Sequence, residues 1–245
     1  MSIEHILLFM LFATMAEILG TVGGFGSSVF FVPIASFFLE IHVVLGITAL
    51  FHVLSNITKL ILFPRAFDKR ILLYLGITSV LAVLAGAYLS KFMPTETLKL
   101  VMAFLLIALS IFFMAFQTRI VRPTNFNMIW AGTTSGFLAG LIGTGGAIRG
   151  MALSAFNLEK NVFIATSAFI DLFVDGSRAV VYGLNGFIQK EYLYLIPILF
   201  ISTLIGTFTG KKLLDKLPQH YFRKIVLTFI LLVGIFTVIE HFVKK

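Results

Sequence analysis

Ten apolar runs, joined by short polar or glycine-rich links, fill almost the whole of this 245-residue chain. They lie near 5–21, 25–39, 43–63, 70–90 and 98–118, then near 127–142, 146–157, 161–183, 190–212 and 221–242. Segments of this length and apolarity are the size of membrane spans, which need about 20 residues each. Within a bilayer the backbone must satisfy its own hydrogen bonds, so each run is expected to be a helix. Charged residues make up 12% of the chain, against about 25% in an ordinary soluble domain. A soluble globule would lack the polar surface to cover so much apolar material. The fold class expected is therefore an all-α polytopic membrane protein, with the lipid bilayer as one of its partners. No basic segment precedes the first run at Met1–His5, so that run reads as a retained span and not a cleaved leader.

The first two runs of each set of five are short and are joined through glycine. Gly20, Gly23, Gly24 and Gly26 form one break; Gly140, Gly143, Gly145 and Gly146 form the other. Each pair is either two full spans or two half-helices meeting inside the membrane. The count is accordingly eight to ten helical segments, with broken or re-entrant helices at the glycines.

The two sets repeat one another. A shift of 120 lays Gly20-Thr21-Val22-Gly23 over Gly140-Leu141-Ile142-Gly143 and Gly86 over Gly206. A shift of 119 lays Thr48-Ala49 over Ser167-Ala168, Asn56 over Asp175 and Lys59 over Arg178. Pro94 and Pro218 occupy corresponding links. The chain thus divides into two homologous halves, 1–122 and 123–245, within one membrane domain. Five segments per half would turn the second half upside down relative to the first, the inverted-repeat plan of many secondary transporters. Basic residues favour one orientation. Arg65, Lys69, Arg70, Arg119, Arg122, Lys211, Lys212, Lys216, Arg223 and Lys224 fall on one side, and Lys91, Lys99, Lys190, Lys244 and Lys245 on the other. The first group marks the cytoplasmic face and leaves both termini outside. The net charge of +8 is read as this topology signal, not as a nucleic-acid footprint.

Two constellations carry chemistry. The third segment of each half bears a polar stripe, Thr48, His52, Asn56 and Lys59 in the first and Ser167, Asp171, Asp175 and Arg178 in the second. Spacings of four, four and three put each set on one helix face. Ionisable groups at membrane depth face a partner or a cavity. The bland alternative is internal pairing, Asp175 with Arg178 or Asp171 with Lys59. His52, Asp171, Asp175 and Glu17 are the candidates for proton coupling or gating. Glu17 has three equal readings, a pair with Arg149, a pair with Lys59, or a place at an entrance.

The glycine breaks are the second constellation. Gly23, Gly24, Gly26, Ser27 and Ser28 precede one apolar run. Gly143, Thr144, Gly145 and Gly146 precede another, with Arg149 in its first turn. A helix that starts at such a break aims free N–H groups and the positive end of its dipole at it, which suits an anion. Arg149 adds a fork that can clamp an oxyanion. The alternative is close helix packing through small residues. The expected site joins these residues to Thr48, Asn56, Lys59, Ser167 and Arg178 near the bilayer midplane, where a small anion is the substrate. One half rocking against the other would give alternating access.

Sequence also weighs against other classes. There is no cysteine and the five histidines are scattered, so neither a nucleophile–base pair nor a metal cluster is apparent. No cofactor and no metal are expected. An anion channel is the nearest rival and an intramembrane enzyme or a non-transporting assembly partner lie further off.

Gly46–Leu50, reading Gly-Ile-Thr-Ala-Leu, Ala165–Phe169, reading Ala-Thr-Ser-Ala-Phe, and Gly136–Gly146, reading GFLAGLIGTGG, resemble the sulfite exporter TauE/SafE family. The resemblance covers nearly the full chain in both halves. It implies a bacterial or archaeal plasma-membrane permease for small sulfur anions such as sulfite, sulfoacetate or other sulfonates. The chain departs from the family pattern at Phe25, where a further glycine is common. Leu153 stands near the place of a usual proline, whereas the first half keeps Pro33. The second stripe is unusually charged.

Overall fold

The computed structural model describes residues 3–23, 26–63, 67–115, 122–156, 158–214 and 219–243. Gly24, Pro218 and the cations Arg65, Arg119, Lys216, Lys244 and Lys245 lie outside the described residues. Ten helices carry the rest: α1 (Ile3–Gly23), α2 (Ser28–Ala35), α3 (Ile41–Leu62), α4 (Lys69–Ser90), α5 (Thr95–Ala115), α6 (Asn125–Ile142), α7 (Gly146–Ala155), α8 (Lys160–Leu184), α9 (Leu195–Leu214) and α10 (Gln219–Val243). There is no strand among the described residues.

Length separates these helices into two kinds. α1, α3, α4, α5 and α9 are long and apolar enough to cross a membrane. α2 and α7 have 8 and 10 residues, about 12 and 15 Å at 1.5 Å per residue. That is half or less of a hydrocarbon core of roughly 30 Å. The choice at the glycine breaks therefore resolves to neither alternative as expected: one half-helix, α2 or α7, follows each break, and the helix before it is long, α1 with 21 residues and α6 with 18. α2 is also an interior element: every residue but Ile34 is buried. Phe31 packs edge-on to Phe9 of α1 at 5.3 Å and against Phe51 of α3 at 4.9 Å. Outward faces carry Leu7, Leu11, Leu81, Phe104, Phe208 and Leu232, all more than half exposed, as a lipid-facing perimeter requires.

The first helix of each set of five packs on the fourth of the other: α1 on α9, and α6 on α4. α3 lies against α8, and α5 against α10. Glycine makes the exchanged pairings close. Gly132, Gly136 and Gly140, spaced by four on α6, face the carbonyls of Leu75, Ser79 and Val83 on α4, and a methyl on any of them would collide with that backbone. Gly86 of α4 meets α6 in the same way, and Gly206 of α9 meets Glu17 and Thr14 of α1. Small residues let membrane helices touch backbone to backbone, where dispersion takes the place of a hydrophobic driving force. Several glycines around the breaks thus serve packing, as the bland alternative held.

Candidate functional site

Because α3 and α8 pack together, their two polar stripes face each other. Asn56 Nδ2 donates to Asp175 Oδ2 at 2.7 Å, a contact between residues 119 positions apart that also align in the repeat. The Arg178 guanidinium pairs with Asp175 at 2.8 Å and donates to His52 Nδ1 at 3.0 Å and to the carbonyls of Ala139 and Gly143 at 3.2 Å each. Since Nδ1 accepts from Arg178, the His52 proton sits on Nε2.

The breaks close the ends of this arrangement. Gly26 and Gly143 both have φ of +78°, the left-handed region that glycine enters without strain. They turn the chain so that α2 and α7 begin beside each other; a methyl on Gly26 would lie 3.8 Å from Gly146 Cα. Neither Ser27 nor Gly145 caps its helix with a side chain. The first amides of both half-helices are left without a side-chain cap. Between these starts and the two stripes is a cavity of about 50 Å³.

Glu17, fully buried in α1, pairs with Lys59 at 2.8 Å. It also accepts from Ser55 at 2.6 Å, Ser27 at 2.7 Å, Thr207 at 3.1 Å and Thr21 at 3.4 Å. Of its three readings, pairing with Lys59 is the one formed, and Glu17 stands behind the cavity wall. Arg149 of α7, 2% exposed, pairs instead with Asp171, which also accepts from Ser167 at 3.1 Å. Asp171 does not pair with Lys59. Three buried cations and three carboxylates therefore balance around one hollow.

What remains unspent there is of one kind. Arg149 Nε and NH1, Arg178 Nε and His52 Nε2 are buried without a hydrogen-bond partner among the described residues. All three residues line the cavity, and all four atoms are donors in the protonation states assigned. Buried donors are rarely left unmet, and a cluster of them waits for an acceptor.

The family model for the sulfite exporter TauE/SafE matches residues 9–237. The chain belongs to that family. Comparison with functionally characterised proteins and with solved structures gives no match. Membership together with the apolar helices makes this TauE/SafE permease a multi-pass transporter of the plasma membrane.

Of the residues expected from sequence, Gly26, Ser27, Ser28, His52, Asn56, Lys59, Gly143, Gly145, Gly146, Arg149, Ser167, Asp171, Asp175 and Arg178 line the permease's cavity. Thr48 and Thr144 are fully buried but do not line it. The lining also includes Thr21, Ser55 and an apolar wall of Phe163, Ile164 and Ala168. Ser55 had a signal, since it sits four residues before Lys59 and accepts from its ammonium at 2.8 Å.

Proposed function

We propose that the cavity is the substrate site of a secondary transporter for a small sulfur oxyanion, of which sulfite is the simplest. The observation that carries this reading is Arg149, a buried guanidinium with two unspent donor atoms at the meeting point of two uncapped half-helices. A cation held through NH2 by one carboxylate keeps Nε and NH1 as separate charged donors for an oxyanion, and the helix starts add dipole and amides.

Coupling follows from the same pair. The entering anion competes with Asp171 for Arg149. A proton on Asp171 ends that competition and, for a monoanion such as hydrogensulfite, leaves the site neutral overall, so anion and proton travel together. The other charged or titratable groups lining the cavity are His52, Lys59, Asp175 and Arg178, each already engaged with a neighbour. Access alternates as the bundle rearranges about the cavity. The repeat halves 1–122 and 123–245 are inverted relative to one another in this reading, supported by five helices in each and by the reciprocal α1–α9 and α6–α4 packing.

Purified protein in liposomes should show saturable sulfite uptake with counterflow, which a channel lacks. Arg149→Lys keeps the charge and loses the planar fork. Uptake should fall at least tenfold while the melting temperature stays within a few degrees. Unchanged uptake would remove Arg149, and the site with it.

A further inference from the structure

A second hollow lies between α4 and α8, on a face of α8 different from the one that carries Asp171 and Asp175. It is a crevice of about 240 Å³. Leu72, Gly76 and Val80 of α4 form one wall and Phe169, Ile170 and Phe173 of α8 the other, with essentially no polar atom in the lining. Phe173 is 52% exposed, so the crevice opens outward, toward the lipid side of the bundle.

Its origin is a local change of helix type. Over Leu72–Gly76 the backbone of α4 is a π-helix, and the Ile77 amide donates to the Leu72 carbonyl five residues back. A π turn holds one residue more than an α turn and is found mostly where a function requires it. Here the widened turn includes Gly76, which has no side chain to fill the space against Ile170.

One end of the crevice is basic. Lys69 stands three residues before Leu72 on the same helix face. It is exposed. Arg70 is next to it and is held by Asn125 Oδ1 at 2.7 and 3.1 Å. That contact brings the start of α6, and exposed Arg122 just before it, to the same end. The nearby acid, Asp68, is turned to the backbone, where it caps the amides of Arg70 and Ile71 at 3.0 Å each. The basic residues at this end belong to the group that marks the cytoplasmic face, and the cytoplasmic leaflet is the one that carries anionic lipid.

We propose that the crevice holds one acyl chain of an anionic phospholipid whose phosphate is met by Lys69, with Arg70 and Arg122 beside it. Apolar depth and a basic mouth are both present; a zwitterionic lipid offers the same phosphate but adds a quaternary ammonium that the cluster of Lys69, Arg70 and Arg122 repels, so a net-anionic lipid is favoured. The occupant would brace the back of α8, the helix whose other face holds Asp171, Asp175 and Arg178.

Native mass spectrometry on the full chain, in nanodiscs of equal phosphatidylglycerol and phosphatidylcholine, tests this without reading transport. One phosphatidylglycerol should stay bound per chain, retained about tenfold more often than phosphatidylcholine. Lys69→Glu changes an exposed side chain and should abolish that preference at an unchanged melting temperature. Val80→Trp should lower retention of both lipids by filling the crevice. Equal retention of the two lipids by the parent chain, or an undiminished preference in Lys69→Glu, overturns the proposal.

Discussion

The two glycine breaks each gather one cation–carboxylate pair and differ in how fully its hydrogen-bonding capacity is met. At the first, Glu17 collects Lys59, Ser27, Ser55, Thr21 and Thr207 and joins α1, the start of α2, α3 and α9 in one saturated knot. At the second, Gly145 is packed tightly on the Ser135 carbonyl, and Arg149 meets one carboxylate and keeps two donor atoms free. In the function proposed above, one break is a frame and the other is the site. If the two halves are repeats as we propose, a few differing side chains decide which copy is held rigid and which takes a ligand.

Three substitutions break or sharpen that contrast. The largest effect belongs to the frame: Glu17→Ala strands the Lys59 ammonium, at a cost of about 3–5 kcal/mol for an unpaired buried charge. A large fall in melting temperature in detergent should accompany loss of uptake, and a stable, inactive variant would instead make Glu17 part of the transport chemistry. At the second break, Asp171→Asn removes the competitor for Arg149 without removing bulk. The apparent KM should fall about tenfold, the equivalent of about 1.4 kcal/mol. The acid stimulation of uptake, expected because a proton on Asp171 frees Arg149, should flatten. A retained pH profile would place the coupling proton elsewhere. The smallest effect is at Thr144, whose buried hydroxyl has no partner and does not line the cavity. Thr144→Val should shift stability by less than about 1 kcal/mol and leave uptake unchanged, whereas lost uptake would extend the site to this residue.

Most of the architecture was legible because a bilayer narrows the choices. Run lengths announce helices, and spacings of four, four and three place Thr48 to Lys59 and Ser167 to Arg178 on single faces whatever surrounds them. Pairings were less legible. Glu17, Asp171 and Asp175 all stood within plausible reach of Lys59, Arg149 and Arg178, and the choice is made where different helices cross. Thr207 reaches Glu17 from 190 positions away, with no local mark to reveal it. Tyr182, whose hydroxyl donates to the Gly140 carbonyl, is likewise an ordinary aromatic in the sequence. Gly132 did carry a signal: with Gly136 and Gly140 it forms a four-residue small-residue register, which points to packing and not to ligand.

That register has a mechanical consequence. Three bare α-carbons seated on the carbonyls of α4 make a weld, because sliding α6 along it by a residue would drive neighbouring side chains into backbone. α1 and α9 are joined by a similar contact at Gly206 and Gly210. In the transport cycle proposed above, α4 with α6 and α1 with α9 would move as units that cut across chain order, and the seam that parts would run between them.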